Sequence, residues 1–372
     1  MKIKGESLGA TERVKRWVRN DIRSMQAYHV PSSEGLLKLD AMENPYEWDE
    51  NIRDAWLQIL KTISLNRYPD AAAHALVQRL RKVMGIADDL DVMLGNGSDE
   101  LIQIIQMAMA DEGRSVLTPV PSFVMYEHIA HTLRLKFIGI SLNKDFSLAV
   151  DKMIETIKRE DPACVFIAYP NNPTGNCFNK DAIDKVINTT NGLVIIDEAY
   201  HAFCGDSYLD RIAEFENVAV MRTLSKIGLA GLRLGFLVGA PTWLKEFEKI
   251  RLPYNINCLT QASVAFALDN YSIFETQAQK IRSERTRLYD ALKDINDLEV
   301  FPSQANFILL RTHPGKAVEI HQALIKEKIL IKDLHKPEKS AQENLLVDCL
   351  RVTVGSPEQN DLFLAALQKV LQ

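Results

Sequence analysis

Short, uninterrupted apolar runs that end in polar residues constrain this fold more than any other feature of the sequence. Three of them cover residues 165–169, 193–196 and 218–221, and the second ends directly at Asp197. Because these runs are apolar at every position, they are typical of strands buried on both faces, as in a parallel sheet covered by helices. Stretches with helical spacing alternate with them from about residue 90. We therefore expect an α/β fold.

The pattern changes near residue 260. The predicted elements beyond that point are a long helix at 260–297, a strand at 305–310, a helix at 315–328, a strand at 329–331, a strand at 350–354 and a closing helix at 359–371. Such a mixture is typical of a smaller α+β domain. In the first part of the chain, we expect the strand that begins at Ser115 to end before Pro119, because proline interrupts strand pairing.

Composition and charge exclude several classes of protein. The 372 residues are 47% apolar and 25% charged, so the chain can bury a core without disulfides or a structural metal. A net charge of -5 makes general binding to nucleic acids or anionic membranes improbable. No apolar run reaches transmembrane length and no zinc-binding signature occurs, so we expect no membrane span and no metal. Five cysteines without CxxC spacing indicate reduced thiols in the cytoplasm.

Four polar segments follow the predicted strands, where ligands of open α/β sheets bind. They are residues 95–100, 171–175, 197–200 and 223–226. Taken singly, each has a simpler explanation: a strand-to-helix turn capped by Ser98 or Asp99, an ordinary Asn-Pro-Thr-Gly turn, a helix-capping Asp197, or a solvated Lys226. Their joint occurrence, in this order and all at strand ends, favours a functional site.

The residue types in these segments suit one cofactor. Lys226 can form a Schiff base with an aldehyde. Asp197 can keep a pyridine nitrogen protonated, which makes the ring an electron sink. Asn172 and Tyr200 can hydrogen-bond an oxygen on the ring. The set describes a site for pyridoxal 5'-phosphate.

A phosphate can be held by the same segments. The turn at Gly97 opens a helix and offers backbone amides to an anion, while Thr223, Ser225 and Arg233 add two hydroxyls and a guanidinium. The turn lacks the lysine of a P-loop, and its sequence GNGSDE departs from the GxGxxG nicotinamide fingerprint.

These motifs resemble those of the fold-type I aminotransferases. The blocks at 39–46, 66–70, 95–100 and 350–355 are similar to those of the histidinol-phosphate aminotransferase family, and the resemblance extends from about residue 28 to the C-terminal helix. It implies transamination of histidinol phosphate with 2-oxoglutarate in L-histidine biosynthesis. The implied fold is a large domain, residues 49–260, with a mainly parallel seven-stranded sheet. A small α+β domain would follow at 261–372, and residues 1–48 would form an arm that packs on the small domain or on the partner of a homodimer.

The resemblance also implies roles for individual residues. Lys226 would bind the cofactor covalently and move the substrate proton, with Asp197 and Tyr200 as its catalytic neighbours. The implied cofactor-binding residues are Gly97, Ser98, Asp99, Phe123, Asn172, Asp197, Tyr200, Thr223, Ser225, Lys226, Arg233 and, from the partner subunit, Tyr68. In isolation, Phe123 is equally well explained by core packing.

Substrate binding would centre on Arg351, which occupies the position that holds the acidic group remote from the amine. The implied substrate-binding residues are Tyr28, Asn172, Asn306, Lys332 and Arg351. Lys332 stands where some family members have an arginine, and a lysine lacks the bidentate geometry. Considered alone, Arg351 could be an ordinary surface arginine of a strand.

Three other functions share parts of this pattern. A decarboxylase of an amino-acid phosphate would use the same cofactor and recognise a phosphate while breaking a different bond. An aromatic or broad-specificity aminotransferase would use Arg351 as a generic carboxylate clamp. A cofactor-binding regulator of this fold is improbable, since the segment before Leu39 is too short for a DNA-binding domain.

Overall fold

The structure, a computed structural model, describes residues 9–27, 31–335 and 344–372. Its α-helices are α1 Ala10–Trp17, α2 Asn20–Ser24, α3 Glu50–Leu60, α4 His74–Met84, α5 Ser98–Met109, α6 Met125–Thr132, α7 Val150–Glu160, α8 Lys180–Thr189, α9 His201–Cys204, α10 Pro241–Glu248, α11 Cys258–Asp269, α12 Ser272–Lys293, α13 Ala317–Lys326 and α14 Pro357–Leu371.

The strands are β1 Leu37–Lys38, β2 Asp91–Asn96, β3 Ser115–Val120, β4 Lys136–Ser141, β5 Cys164–Ala168, β6 Leu193–Asp197, β7 Val218–Thr223, β8 Leu234–Gly239, β9 Leu298–Val300, β10 Phe307–Thr312, β11 Ile329–Leu330, β12 Lys332–Asp333 and β13 Cys349–Thr353.

Seven strands form the large sheet, in the order β2-β8-β7-β6-β5-β3-β4. Strand β8 runs antiparallel to both of its neighbours, and the other strand pairs are parallel. The expected α/β fold with a mainly parallel seven-stranded sheet is confirmed. Every residue of β5, β6 and β7 is buried, because apolar clusters cover the sheet on both faces. This explains why the apolar runs of the sequence are uninterrupted.

One edge of this sheet collects the strand ends that matter for function. Since β2 and β7 are both antiparallel to β8, they run parallel to each other, and their carboxyl ends meet those of β5 and β6. The first residue of β8 lies at the same edge, where Leu234 pairs with Asn96. Polar residues at or next to the ends of five strands, β2, β5, β6, β7 and β8, therefore converge at this edge.

A second, antiparallel sheet has the order β12-β13-β10-β9, and β1 pairs with β11 in a short parallel sheet. Helices α12, α13 and α14 contribute to the apolar cluster that covers this second sheet, and so does Leu39 of the N-terminal segment. Helix α12 links the two parts, because Phe274 packs in the cluster of the large sheet and Ile281 in that of the small one. The domain limits at 48 and 260 stay a prediction.

Two sequence-based expectations are wrong. The long helix predicted at 260–297 is two helices, because the chain turns at Asn270, whose side-chain amide donates to the Phe266 carbonyl at 2.9 Å. Strand β3 does not end before Pro119, which pairs with Ile140 of β4. Because β3 pairs with β5 only through Val116 and Leu117, Pro119 faces no β5 partner that would need its missing N–H.

Across the described ranges, no helix combines the length and the apolar character needed to cross a membrane.

Candidate active site

A cavity lies at the edge of the large sheet where the strand ends converge. Asp197 is the last residue of β6 and Thr223 the last of β7, while Arg233 immediately precedes β8. Ten of the sequence-predicted site residues line this cavity, namely Ser98, Asp99, Phe123, Asn172, Asp197, Tyr200, Thr223, Ser225, Lys226 and Arg233. Gly97 adjoins it as the residue before α5. The fold thus brings residues that range from Ser98 to Arg233 along the chain to one place.

Asp197 is a buried carboxylate between two neutral donors. It accepts a hydrogen bond from the Tyr126 hydroxyl at 2.6 Å and another from the Ala199 backbone amide at 3.1 Å. Burial raises the pKa of Asp197 to about 6, although both hydrogen bonds act to lower it. A positively charged group in the cavity would therefore be stabilised beside this carboxylate.

Lys226 presents a half-buried amine to the same cavity. Its Nζ donates to the Ala41 carbonyl at 3.1 Å and lies 5.8 Å from the centre of the Tyr200 ring. Burial, and secondly the charge of Arg351, lower the pKa of Lys226 to about 8. About a tenth of this lysine is therefore neutral at pH 7, far more than at its ordinary pKa, which suits a nucleophile or a proton acceptor.

A chain of hydrogen bonds connects the cavity to the small sheet. The Asn172 amide nitrogen donates to the Tyr200 hydroxyl at 3.2 Å, and its amide oxygen accepts from the Arg351 guanidinium. Arg351 also donates to the Asp40 carbonyl at 3.0 Å. Its exposure is 7%, so it is not a surface arginine, and its charge lies one residue behind the cavity wall. Burial raises the pKa of the Tyr200 hydroxyl well above its usual value.

The turn between β2 and α5 forms an anion cradle with Arg233. Gly97 has a φ of +81°, and a Cβ atom there would lie 2.5 Å from Nη2 of Arg233. The positive φ favours glycine, and a side chain at this position would displace the end of the Arg233 side chain. Arg233 lies 3.5 Å from the Asp99 carboxylate, and the Thr223 hydroxyl donates to that of Ser225 at 2.9 Å. Guanidinium, hydroxyls and the start of a 12-residue helix thus surround one corner of the cavity.

These observations fit pyridoxal 5'-phosphate. The cradle that a Cβ atom would fill suits a phosphate, and the buried Asp197, held only by neutral donors at its side chain, suits a cationic ring nitrogen. Phe123 lines the cavity and also packs against an apolar cluster of the large sheet. Its position is therefore compatible both with contact to a cofactor and with core packing.

Comparison with known proteins decides the family. The family model described as Aminotransferase class I and II matches residues 34–367. The chain belongs to the class I and II aminotransferases. It is 49% identical to histidinol-phosphate aminotransferase 2 of Nitrosococcus oceani over 96% of this chain and 98% of that protein. It is 46% identical to histidinol-phosphate aminotransferase 1 of Ralstonia nicotianae, over 96% and 95% of the two chains.

A solved structure supports the same assignment of fold. The histidinol-phosphate aminotransferase from Clostridium acetobutylicum superposes with a TM-score of 0.81 at 25% identity, covering 90% of this chain and 99% of that one. The fold-type I architecture expected from the sequence is thus confirmed for this aminotransferase.

Besides Gly97 and Arg351, four predicted residues of the aminotransferase lie away from the cavity lining or outside the described residues. Tyr68 is 81% exposed and stacks on Tyr254 at 4.5 Å. Asn306 donates to the Met42 carbonyl at 2.9 Å, one residue behind the lining. Lys332 pairs with Arg351 across neighbouring strands, so their side chains share a face of the small sheet. Tyr28 lies outside the described residues.

Sequence reasoning missed two residues that support the site. Tyr126 is the hydroxyl donor to Asp197 and stacks on Phe166 at 4.7 Å, but its partner is 71 residues away, and no local signal marks it. Asn44 donates to the carbonyl of Ile227, directly after Lys226, at 2.7 Å. The sequence signal that could have identified Asn44 is its position within the family-like block at 39–46.

Proposed function

We propose that this aminotransferase catalyses the pyridoxal 5'-phosphate-dependent transamination of histidinol phosphate with 2-oxoglutarate, giving imidazole-acetol phosphate and glutamate in L-histidine biosynthesis. The observation that carries the proposal is a single cavity that contains the Lys226 amine and the Asp197 carboxylate and adjoins the buried Arg351 guanidinium. The identity of 49% with a curated histidinol-phosphate aminotransferase over nearly the whole chain supports the same substrate.

Each end of the cavity has a part in holding the cofactor. Asp197 would pair with the ring nitrogen, Tyr200 and Asn172 would hydrogen-bond the ring oxygen, and Phe123 would contact the ring. The phosphate would be held by the backbone at Gly97, Ser98 and Asp99 together with Thr223, Ser225 and Arg233. When bound, the cofactor supplies the electron sink that makes loss of a proton from the substrate Cα feasible.

Lys226 has two roles in this proposal. Its amine would bind the cofactor covalently between turnovers, and it would then accept and return the substrate proton. A pKa of about 8 serves both roles, because a lysine at its ordinary pKa would be almost fully protonated near pH 7. The contact of Nζ with the Ala41 carbonyl, at 3.1 Å, holds the amine in the cavity.

Arg351 would bind the acidic group of each substrate in turn. A guanidinium binds a phosphate dianion or a carboxylate with paired hydrogen bonds, so one residue can serve both half-reactions. Lys332 shares the face of Arg351 on the small sheet and would add positive charge for the phosphate substrate. Tyr28 and Asn306 are proposed to contribute to the same pocket.

The test is a comparison of substrates with purified enzyme. We expect efficient transamination of histidinol phosphate and a loss of at least tenfold in kcat/KM for unphosphorylated histidinol, because the substrate then lacks a charge-assisted contact. Release of CO2 from an amino-acid phosphate would favour the decarboxylase instead. Equal rates with histidinol, or a preference for phenylalanine, would contradict the phosphate pocket.

We also propose that the active enzyme is a homodimer in which Tyr68 of each subunit contacts the cofactor phosphate of the other. The proposal is supported by the exposed, stacked pair Tyr68 and Tyr254 and by two leucines close to them in the chain, Leu65 and Leu252, which are both 72% exposed. Mixing inactive Tyr68→Ala and Lys226→Ala subunits should restore part of the activity, because one site of each heterodimer keeps both residues. Continued inactivity after proven subunit exchange would refute a shared site.

We place the enzyme in the cytoplasm. All five cysteines are free thiols, which is typical of proteins in reducing compartments.

A further inference from the structure

Two cysteines that are distant in the sequence lie side by side behind the active site. Cys177 follows the Asn-Pro-Thr-Gly turn that carries Asn172, and Cys204 is the last residue of helix α9, which begins immediately after Tyr200. Their sulfur atoms are 2.8 Å apart, although 27 positions separate the residues along the chain. Both thiols are free and half-buried.

The surroundings fix both thiols in place. The Cys177 backbone amide donates to the Gln304 side-chain oxygen at 2.7 Å. The Gln304 backbone amide in turn donates to the Gly175 carbonyl at 2.6 Å. On the other side, the Arg285 guanidinium donates to the Phe203 carbonyl at 3.0 Å, one residue before Cys204. These hydrogen bonds hold the two segments in positions that bring the sulfur atoms together.

The two thiols are not equivalent. The hydrogen bond between the two thiols lowers the pKa of Cys204 and raises that of Cys177. The lowering by this hydrogen bond prevails over burial and over the negative charges of Asp206 and Glu198, which act to raise the pKa of Cys204. Cys204 is thus the better nucleophile, with Cys177 positioned as the resolving thiol.

We propose that Cys177 and Cys204 are a redox modification site, where a peroxide forms a reversible disulfide that ties together the two segments bearing Asn172 and Tyr200. The Cys204 thiolate attacks one peroxide oxygen, the O–O bond breaks, and Cys204 becomes a sulfenic acid as hydroxide leaves. The Cys177 sulfur then attacks the Cys204 sulfur, and the S–S bond forms as the hydroxyl group leaves with the Cys177 proton as water. Two thiols are oxidised, and one peroxide is reduced to two water molecules.

The bond fits the native arrangement of the site. An S–S bond is about 2.05 Å long, so the sulfurs need to approach by less than 1 Å. The same segments are already joined through the hydrogen bond between Asn172 and Tyr200 at 3.2 Å. We therefore expect the disulfide to leave the active site intact and to stabilise the fold by constraining the unfolded chain.

The other cysteines provide internal controls. Cys164 and Cys349 are buried within strands β5 and β13, and Cys258, the first residue of α11, is half-buried like the pair. A Cys258→Ser variant therefore removes an accessible thiol without touching the pair, whereas Cys177→Ser and Cys204→Ser each remove one member.

The experiment treats the purified enzyme with hydrogen peroxide, alkylates the remaining thiols under denaturing conditions and maps the peptides without reduction. Wild type and Cys258→Ser should each lose two thiols, yield a peptide linked through Cys177 and Cys204, and recover both thiols with dithiothreitol. Cys177→Ser should instead accumulate a sulfenic acid at Cys204, trapped by dimedone. The oxidised wild type should melt on the order of 5 °C higher than the reduced one, and the pair variants should show no rise.

Three results would overturn the proposal. They are alkylation of both Cys177 and Cys204 in wild type under conditions that oxidise the control thiol Cys258, a crosslink that involves Cys258, and a 177–204 crosslink that lowers the melting temperature. The last would mean that the bond forms only in a distorted fold.

Discussion

The two sides of the active-site cavity are built in different ways. On one side, Asp197 and Thr223 are the final residues of two neighbouring strands of the large sheet that are buried along their whole length. On the other side, Arg351 reaches Asn172 from a separate sheet, 179 residues further along the chain. The cofactor side therefore depends on strand ends that any correct folding of the large sheet brings together. The substrate side depends on how the small sheet packs against it.

The comparison predicts that variants on the first side disturb the cofactor, whereas variants on the second side disturb only the substrate.

The largest effect that we expect concerns the charge of Asp197 in the cofactor-free enzyme. Burial raises its pKa from 3.8 to about 6 in the folded protein. Between these values the folded state holds a proton that the unfolded state has lost, so this residue makes the free energy of unfolding fall as pH rises from about 4 to 6. At about 1.4 kcal/mol per pKa unit, the penalty is roughly 2–3 kcal/mol at pH 7.

Denaturant unfolding of the cofactor-free enzyme at pH 4.5 and pH 7 measures this penalty. Asp197→Asn should remove it, because the amide does not ionise, and the variant should then bind pyridoxal 5'-phosphate much more weakly than wild type. If wild type and variant show the same pH dependence, Asp197 is not the strained buried carboxylate described above.

Arg351→Ala should produce the next largest effect, and it should fall on the substrates. Loss of a charge-assisted contact costs about 1.5–3 kcal/mol, or roughly ten- to a hundredfold in kcat/KM, for histidinol phosphate and glutamate alike. Cofactor binding should change much less. Lys332→Ala should lower kcat/KM more for histidinol phosphate than for glutamate.

Arg311→Ala is the matched control, since Arg311 lies on the same small sheet but pairs with Glu299 at 2.5 Å near the surface. If Arg351→Ala weakens cofactor binding more than it lowers kcat/KM for the substrates, the proposed difference between the two sides of the cavity is contradicted.

The smallest effect should come from Tyr126→Phe, which removes the 2.6 Å hydrogen bond to Asp197. We expect a loss of about 1 kcal/mol, roughly fivefold in kcat/KM. Because this bond lowers the pKa of Asp197, its removal should also move the acid limb of the pH–rate profile to higher pH. Tyr208→Phe, which loses a hydroxyl contact with Asp184 at 2.9 Å, is the control that should leave the profile unchanged. An unshifted profile for Tyr126→Phe would argue against a positioning role.

The same contrast explains what could be predicted from the sequence. The strands that end near residues 168, 197 and 223 were predictable, because burial on both faces demands continuous apolar runs. Lys226 and Asp197 were recognisable because they directly follow or end such strands. Strand β8 carries no polar boundary of this kind and was not identified.

The sequence contains no local signal for contacts that depend on tertiary packing. Tyr126 meets Asp197 only because α6 packs under the large sheet, and Cys177 meets Cys204 only through the turns that follow β5 and β6. In each case the partners are distant in sequence, and no local motif marks Tyr126, Cys177 or Cys204. The register between Lys332 and Arg351 likewise requires the pairing of β12 with β13.

The most direct test of the account is to locate the cofactor on the chain. Holoenzyme reduced with borohydride and digested should carry the pyridoxyl group on the peptide that contains Lys226, whose half-buried amine has a pKa of about 8. The Lys226→Ala variant, treated identically, should carry no label. A pyridoxyl group on any other lysine of the wild type, or one retained by the variant, would contradict the assignment of the cofactor to the edge of the large sheet.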